Sequence, residues 1–145
     1  MKKSDFIAEL RFQATEKGGR KEYVTSGYRP HIEFENYPEY LTSGQQTYIG
    51  TDFVLPGETV FAKIEILSTK YFTKRLYINM KFKFSEGSHT IGYGTIIKIN
   101  NKSLMTDPNI NQASINLNFI HQILWTAYNQ ILDKITIKLF LNFKS

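Results

Sequence analysis

The sequence predicts a mainly β fold: a six-stranded antiparallel closed β-barrel followed by one C-terminal amphipathic helix. Three observations predict it. Apolar and polar residues alternate in short runs as far as Ile99, the period of half-buried strands. Turn-forming steps such as Pro56-Gly57 separate these runs, as strands joined by tight connections require. Beyond a polar connection the apolar spacing changes to three and four residues, the period of a helix with one apolar face.

The elements follow in order. Phe6, Ala8, Leu10 and Phe12 alternate with Ile7, Glu9, Arg11 and Gln13, so a first strand has one face for a core. Ile32 and Phe34 alternate with Glu33 and Glu35 in a second. A third is read over Tyr48 to Val54 and ends at Pro56-Gly57, where proline sets φ and glycine accepts a positive one. Val60, Ala62, Ile64 and Ile66 alternate with Phe61, Lys63, Glu65 and Leu67 in a fourth. Leu76, Ile78, Met80, Phe82 and Phe84 repeat the pattern as a fifth. Glu86-Gly87-Ser88 turns the chain into a sixth, Thr90 to Ile97. Gly92 and Gly94 within it mark a bulge or a tight bend where a side chain would collide.

After Ile99, Asn100 to Ser103 and Asp107-Pro108-Asn109 form a turn-rich connection. Ile120, Ile123, Leu124, Ala127, Tyr128, Ile131 and Leu132 then predict a helix from about Gln112 to Lys134. Ile135 to Phe143 fits either a strand or more helix. The organisation is therefore a barrel over residues 1–99 and an extension over 100–145. The helix of that extension is expected to pack on the barrel, burying Ile123, Leu124 and Ile131 at roughly 1.5–3 kcal/mol each.

Composition narrows the function. A chain of 145 residues, 41% hydrophobic, can bury one real core. With no cysteine, disulfides, thiolate nucleophiles and cysteine-based zinc sites are excluded. The net charge of +5 favours polyanionic partners. MKKSDFIAEL has no apolar run of signal-peptide length, and no segment reaches the roughly 20 apolar residues of a membrane span, so the expected compartment is the cytoplasm. There is no Gly-x-x-x-x-Gly-Lys-Ser/Thr loop to cradle a nucleotide and no Gly-x-Ser-x-Gly elbow. His31, His89 and His121 lack metal-ligand spacing. The expected class is non-catalytic, with no cofactor, no metal and no GTP.

Three blocks remain to be explained: GGRKEYVTSGYRPHIEF, FVLPGETVFAKIEIL and FKFSEGSHTIGYGTIIKI. In order and spacing they resemble the C-terminal β-barrel, the third domain, of bacterial elongation factor Tu, over about Phe6 to Ile99. The three blocks match neither the GTPase domain nor the second barrel of that family, so GTP binding and hydrolysis are not expected to carry over. In the family this barrel touches the T-stem of aminoacyl-tRNA, the GTPase domain and the nucleotide-exchange factor. The resemblance implies a contact role for Arg20, in the Gly-Gly-Arg loop, and for Arg29, in the Gly-Tyr-Arg-Pro step. It implies the same for Glu86 and Gly87 at the turn that reads the T-stem, and for Thr42. His31 stands where the family has a glutamine, and Ser88-His89 replace a Gly-Arg. Two partner classes follow: structured RNA, tRNA first, or a protein that normally engages elongation factor Tu, for which this chain would be a mimic, decoy or adaptor.

Overall fold

The computed structural model describes residues 3–142. Its strands are β1 (Phe6–Phe12), β2 (Val24–Thr25), β3 (His31–Phe34), β4 (Thr42–Tyr48), β5 (Phe53–Val54), β6 (Thr59–Ile66), β7 (Lys81–Glu86) and β8 (His89–Ile99), and one long helix, α1 (Pro108–Asn142), follows. Six of the strands close a barrel in the order β1-β6-β4-β3-β7-β8, with β8 returning to β1. Every neighbour in it is antiparallel. Closure leaves no open edge in the barrel sheet, which is how small β domains avoid edge-to-edge aggregation. Strands β2 and β5 pair separately as a two-stranded ribbon.

The alternation does what it predicts in β1. Phe6, Ala8, Leu10 and Phe12 are buried, while the outward Glu9 and Arg11 form an ion pair of 3.0 Å. On β8 the register steps from Lys98 to Ile96 opposite Ile7 and Ala8, so Ile97 is the extra residue of a bulge. Three rings meet at the centre: Phe6 lies 6.0 Å from Phe34 and 5.9 Å from Phe82, and Phe34 lies 5.6 Å from Phe82. Glycines leave room for these rings. Gly94 stands opposite Phe82 and Gly92 opposite Phe84. A Cβ at Gly94 would fall 2.2 Å from the Phe82 ring, and one at Gly92 would fall 2.4 Å from that of Phe84.

Two strand positions differ from expectation. The third barrel strand is Thr42–Tyr48, and the expected Tyr48 to Val54 run instead turns through Gly50 (φ +83°) into β5. The inward residues of β4 are Thr42, Gly44, Gln46 and Tyr48, which carry no apolar alternation for a sequence reading to find. The inward position 44 is a glycine because a Cβ there would lie 2.2 Å from the Ile32 Cδ1 atom. The fifth strand is shorter than the expected Leu76 to Phe84. Leu76 and Met80 are fully buried, but they sit on irregular chain that turns at Asn79 (φ +72°). Burial and alternation coincide there without a ladder.

The barrel unit runs through Thr106, and a second compact unit begins at Asp107. Chain beyond β8 belongs to the barrel because Asp5 and Leu104 hold it. The Asp5 carbonyl accepts the N–H groups of Asn100 and Asn101, both at 2.9 Å. Its buried carboxylate accepts the Ile66 N–H and the Asn101 side-chain amide, each at 2.9 Å. Leu104, fully buried, presents its carbonyl to the N–H groups of Arg75 and Leu76.

In the second unit α1 continues to Asn142, so residues 135–142 are helical; Phe143 lies outside the described residues. Ile120, Ile123, Leu124, Ala127, Ile131 and Ile135 recur on one flank of α1, with Gln122, Thr126, Asn129 and Asp133 opposite. The Thr126 and Thr136 hydroxyls donate to the carbonyls four residues back, each at 2.9 Å. No helix among the described residues is long and apolar enough to cross a membrane.

Candidate macromolecule-binding surface

The Gly-Gly-Arg loop is built by backbone demands. A short 3-10 turn, Thr15–Lys17, ends at Gly18, whose φ of +92° is left-handed. Gly19 then passes so near the strand it left that a Cβ would lie 1.9 Å from the Gln13 carbonyl oxygen. Each glycine answers a separate requirement, one conformational and one steric. The Thr15 hydroxyl donates to the Arg20 carbonyl at 2.6 Å, so Arg20 leaves a fixed turn.

Its guanidinium reaches across the barrel end to Glu86, 66 residues away, and Nη1 donates to the Glu86 carboxylate. The Tyr28 hydroxyl donates to the same oxygen at 2.7 Å, and the Arg20 guanidinium carbon lies 5.7 Å from the Tyr28 ring centre. Behind them the Tyr48 hydroxyl donates to the Oε1 atom of the buried Gln46 at 3.0 Å. Arg20 Nε and Gln46 Nε2 are enclosed without a hydrogen-bond partner. Burial raises the Tyr28 hydroxyl above its ordinary range; the hydrogen bond to Glu86 and that carboxylate's charge add to it, and Arg20 pulls the other way. Burial likewise raises Tyr48, again opposed by Arg20.

Glu86 and His89 flank the two-residue turn Gly87-Ser88 in the β7–β8 hairpin, and Gly87 supplies its positive φ of +55°. His31 is exposed on the outer face of β3, in register with Ser43 on β4 and Ser85 on β7. It lines a surface groove with Leu41, Lys83, Gly87 and Ser88. Arg29 is also exposed and donates to the Gln45 side chain. It lines another groove with Ser43, Glu65 and Leu67. Thr42 is placed differently. It is buried, and its hydroxyl accepts the Ser68 N–H at 3.2 Å, so that oxygen serves the fold.

Five of the six residues singled out in the sequence thus fall on two connected features. Arg20, Glu86 and Gly87 share one barrel end, and Arg29 and His31 project from the chain entering and forming β3. Sequence reading did not single out Tyr28, Gln46 and Tyr48, which complete the polar cluster; the tyrosine of the Gly-Tyr-Arg-Pro step was the available signal. The arrangement presents guanidinium and imidazole groups on the barrel surface. Among the described residues no group of three or more His, Cys, Asp or Glu could hold a metal ion. The fold places the chain in the class of closed six-stranded antiparallel β-barrels. No protein-family model matches the chain.

Proposed function

We propose that this chain is a non-catalytic, translation-factor-like β-barrel that binds structured RNA, tRNA first. The observation that carries the reading is the meeting of Arg20 with Glu86 beside Gly87. These are the residues for which the resemblance to the third domain of elongation factor Tu implies RNA contact. Arg29 and His31 extend the donor surface, and arginine forks suit phosphate oxygens. A phosphate reaching Arg20 competes with Glu86 for the guanidinium, so the ion pair sets a threshold that a polyanion overcomes and a small anion does not.

Titration with tRNA tests this. Affinity is expected to fall steeply between about 50 and 200 mM salt, because neutralised phosphates release counterions. Arg29→Ala and Arg20→Ala are each expected to weaken the complex by about 1 kcal/mol or more. No complex at low salt refutes the reading.

A second reading, a protein-binding mimic or adaptor, is favoured by exposed apolar side chains. Tyr23 and Phe53 meet edge-on at 5.7 Å, and Ile49 and Phe61 adjoin across a backbone hydrogen bond; all four are exposed. Retention of a translation protein but no RNA would select it.

A further inference from the structure

We propose that a ladder of tyrosines and cations, Tyr37, Arg75, Tyr40, Tyr71 and Lys70, is a stacking site for an unpaired nucleobase of RNA. The Arg75 guanidinium carbon lies 5.0 Å from the Tyr37 ring centre and 4.9 Å from that of Tyr40. The Tyr40 and Tyr71 rings are 5.8 Å apart and within 13° of parallel. The Lys70 ammonium sits 4.9 Å over Tyr71. The contacts run in the order Tyr37, Arg75, Tyr40, Tyr71, Lys70.

The ladder is held from below. Phe72, fully buried, meets Tyr40 edge-on at 6.4 Å and packs 5.0 Å from Phe34. The Arg75 N–H lies 3.1 Å from the Phe72 carbonyl and 3.0 Å from that of Leu104, and the Lys74 N–H donates to Ser103 at 2.9 Å. On the other segment the Tyr40 N–H donates to the Tyr37 carbonyl at 3.1 Å. The Tyr77 hydroxyl accepts from Asn36 at 2.7 Å and donates to Glu35 at 3.2 Å, fixing the start of that loop. These contacts preorganise the rings, and preorganisation lowers the cost of binding.

The top rung is open to exchange. Tyr71 is 46% exposed, and the group over its ring is a lysine ammonium, a strongly hydrated point charge on a flexible stem. A base has a π-face that extends the stack, and the displaced ammonium is then free to meet the adjoining phosphate. Residues 36–41 and 69–76 carry Lys70, Lys74 and Arg75 against one carboxylate, Glu39, and Glu35 just before them accepts from the Tyr77 hydroxyl and the Lys81 N–H, so the local balance is basic and suits a polyanion. Two exposed leucines join this place to the surface described above. Leu41 follows Tyr40 and lines the groove of His31, and Leu67 precedes the 69–72 turn and lines that of Arg29. The inference takes its ligand class from the RNA reading and adds a single-stranded element to it.

The test is fluorescence anisotropy of the full chain with a labelled single-stranded ten-nucleotide uridine RNA, and separately with tRNA. The wild type is expected to bind the single strand. Tyr71→Ala is expected to weaken that binding about five- to 150-fold, the range for losing one base–aromatic stack, and Tyr71→Phe to stay within about twofold because the π-face remains. Lys70→Glu leaves the ring in place and is expected to weaken the complex at low salt, which keeps the test decisive if Tyr71→Ala folds poorly. Binding of tRNA with no effect of Tyr71→Ala or Lys70→Glu on the single strand overturns the ladder and spares the reading above. Single-strand binding that is lost in Tyr71→Ala, without a tRNA complex, supports the ladder and overturns that reading. Absence of both complexes overturns both.

Discussion

Gly94→Ala adds one methyl group to the barrel and should cost more stability than most surface changes of any size. Its Cβ would lie 2.2, 2.5 and 2.7 Å from three atoms of the Phe82 ring, all below the distance at which carbon atoms can rest. The ring has nowhere to retreat, since Phe6 and Phe34 lie 5.9 and 5.6 Å from it on the inner side. Overpacking of this kind costs typically about 1–3 kcal/mol. The substitution also removes unfolded-chain entropy, which returns about 0.4–1 kcal/mol. The expected net loss is about 1–2 kcal/mol, a fall in melting temperature of about 5–10 °C for a domain near this size. Thermal and urea unfolding monitored by circular dichroism measure it. Shortening the ring opens the space, so Gly94→Ala combined with Phe82→Leu should be less damaged than the sum of the two single changes, with a coupling of about 0.5–3 kcal/mol. A Gly94→Ala protein melting at or above the wild type, or strict additivity in the double variant, would refute the packing argument.

Two further outcomes follow from polar groups. Asp5→Ala strips the Ile66 N–H and the Asn101 amide of their buried acceptor and should cost about 1–3 kcal/mol in urea unfolding; a loss below about 0.5 kcal/mol would show that water replaces the carboxylate. Burial chiefly, and Glu86 next, raise the Tyr28 hydroxyl from its ordinary value of 10.0. The unfolded chain therefore loses this proton first, and stability that is complete below pH 10 declines above it. Tyr28→Phe should flatten that alkaline decline, and an unchanged slope would assign it to other groups.

Much of the barrel was legible because four of its strands obey one rule. In β1, β6, β7 and β8 inward residues are largely apolar and outward ones largely polar, and a period of two states this whatever the partner strand. The Gly18-Gly19 turn and the Gly87 turn were legible for a similar reason, since a positive φ or a close backbone approach is written in the residue itself. β4 was not legible. Its inward Thr42, Gly44 and Gln46 are chosen by what stands across the barrel: Ile32 needs the space at Gly44, and the Ser68 N–H needs the Thr42 hydroxyl. Leu76 and Met80 misled in the opposite direction, because burial on irregular chain imitates alternation. At the C-terminus Ile135 to Asn142 is so densely apolar that both periods fit, and the helical ladder decides it. The surface divides the same way. Arg20, Arg29 and Glu86 can be picked out as charged residues in distinctive turns, yet that Glu86 holds Arg20 depends on closure bringing together residues 66 apart. The ladder of Tyr37, Tyr40, Tyr71 and Arg75 likewise joins two segments that only the β3–β4 and β6–β7 connections place side by side. Local chemistry determined four of the barrel strands and the glycine turns of this chain; β4 and the choice of which side chains meet were decided by the closed barrel, because a contact between distant residues is a property of topology and not of either residue alone.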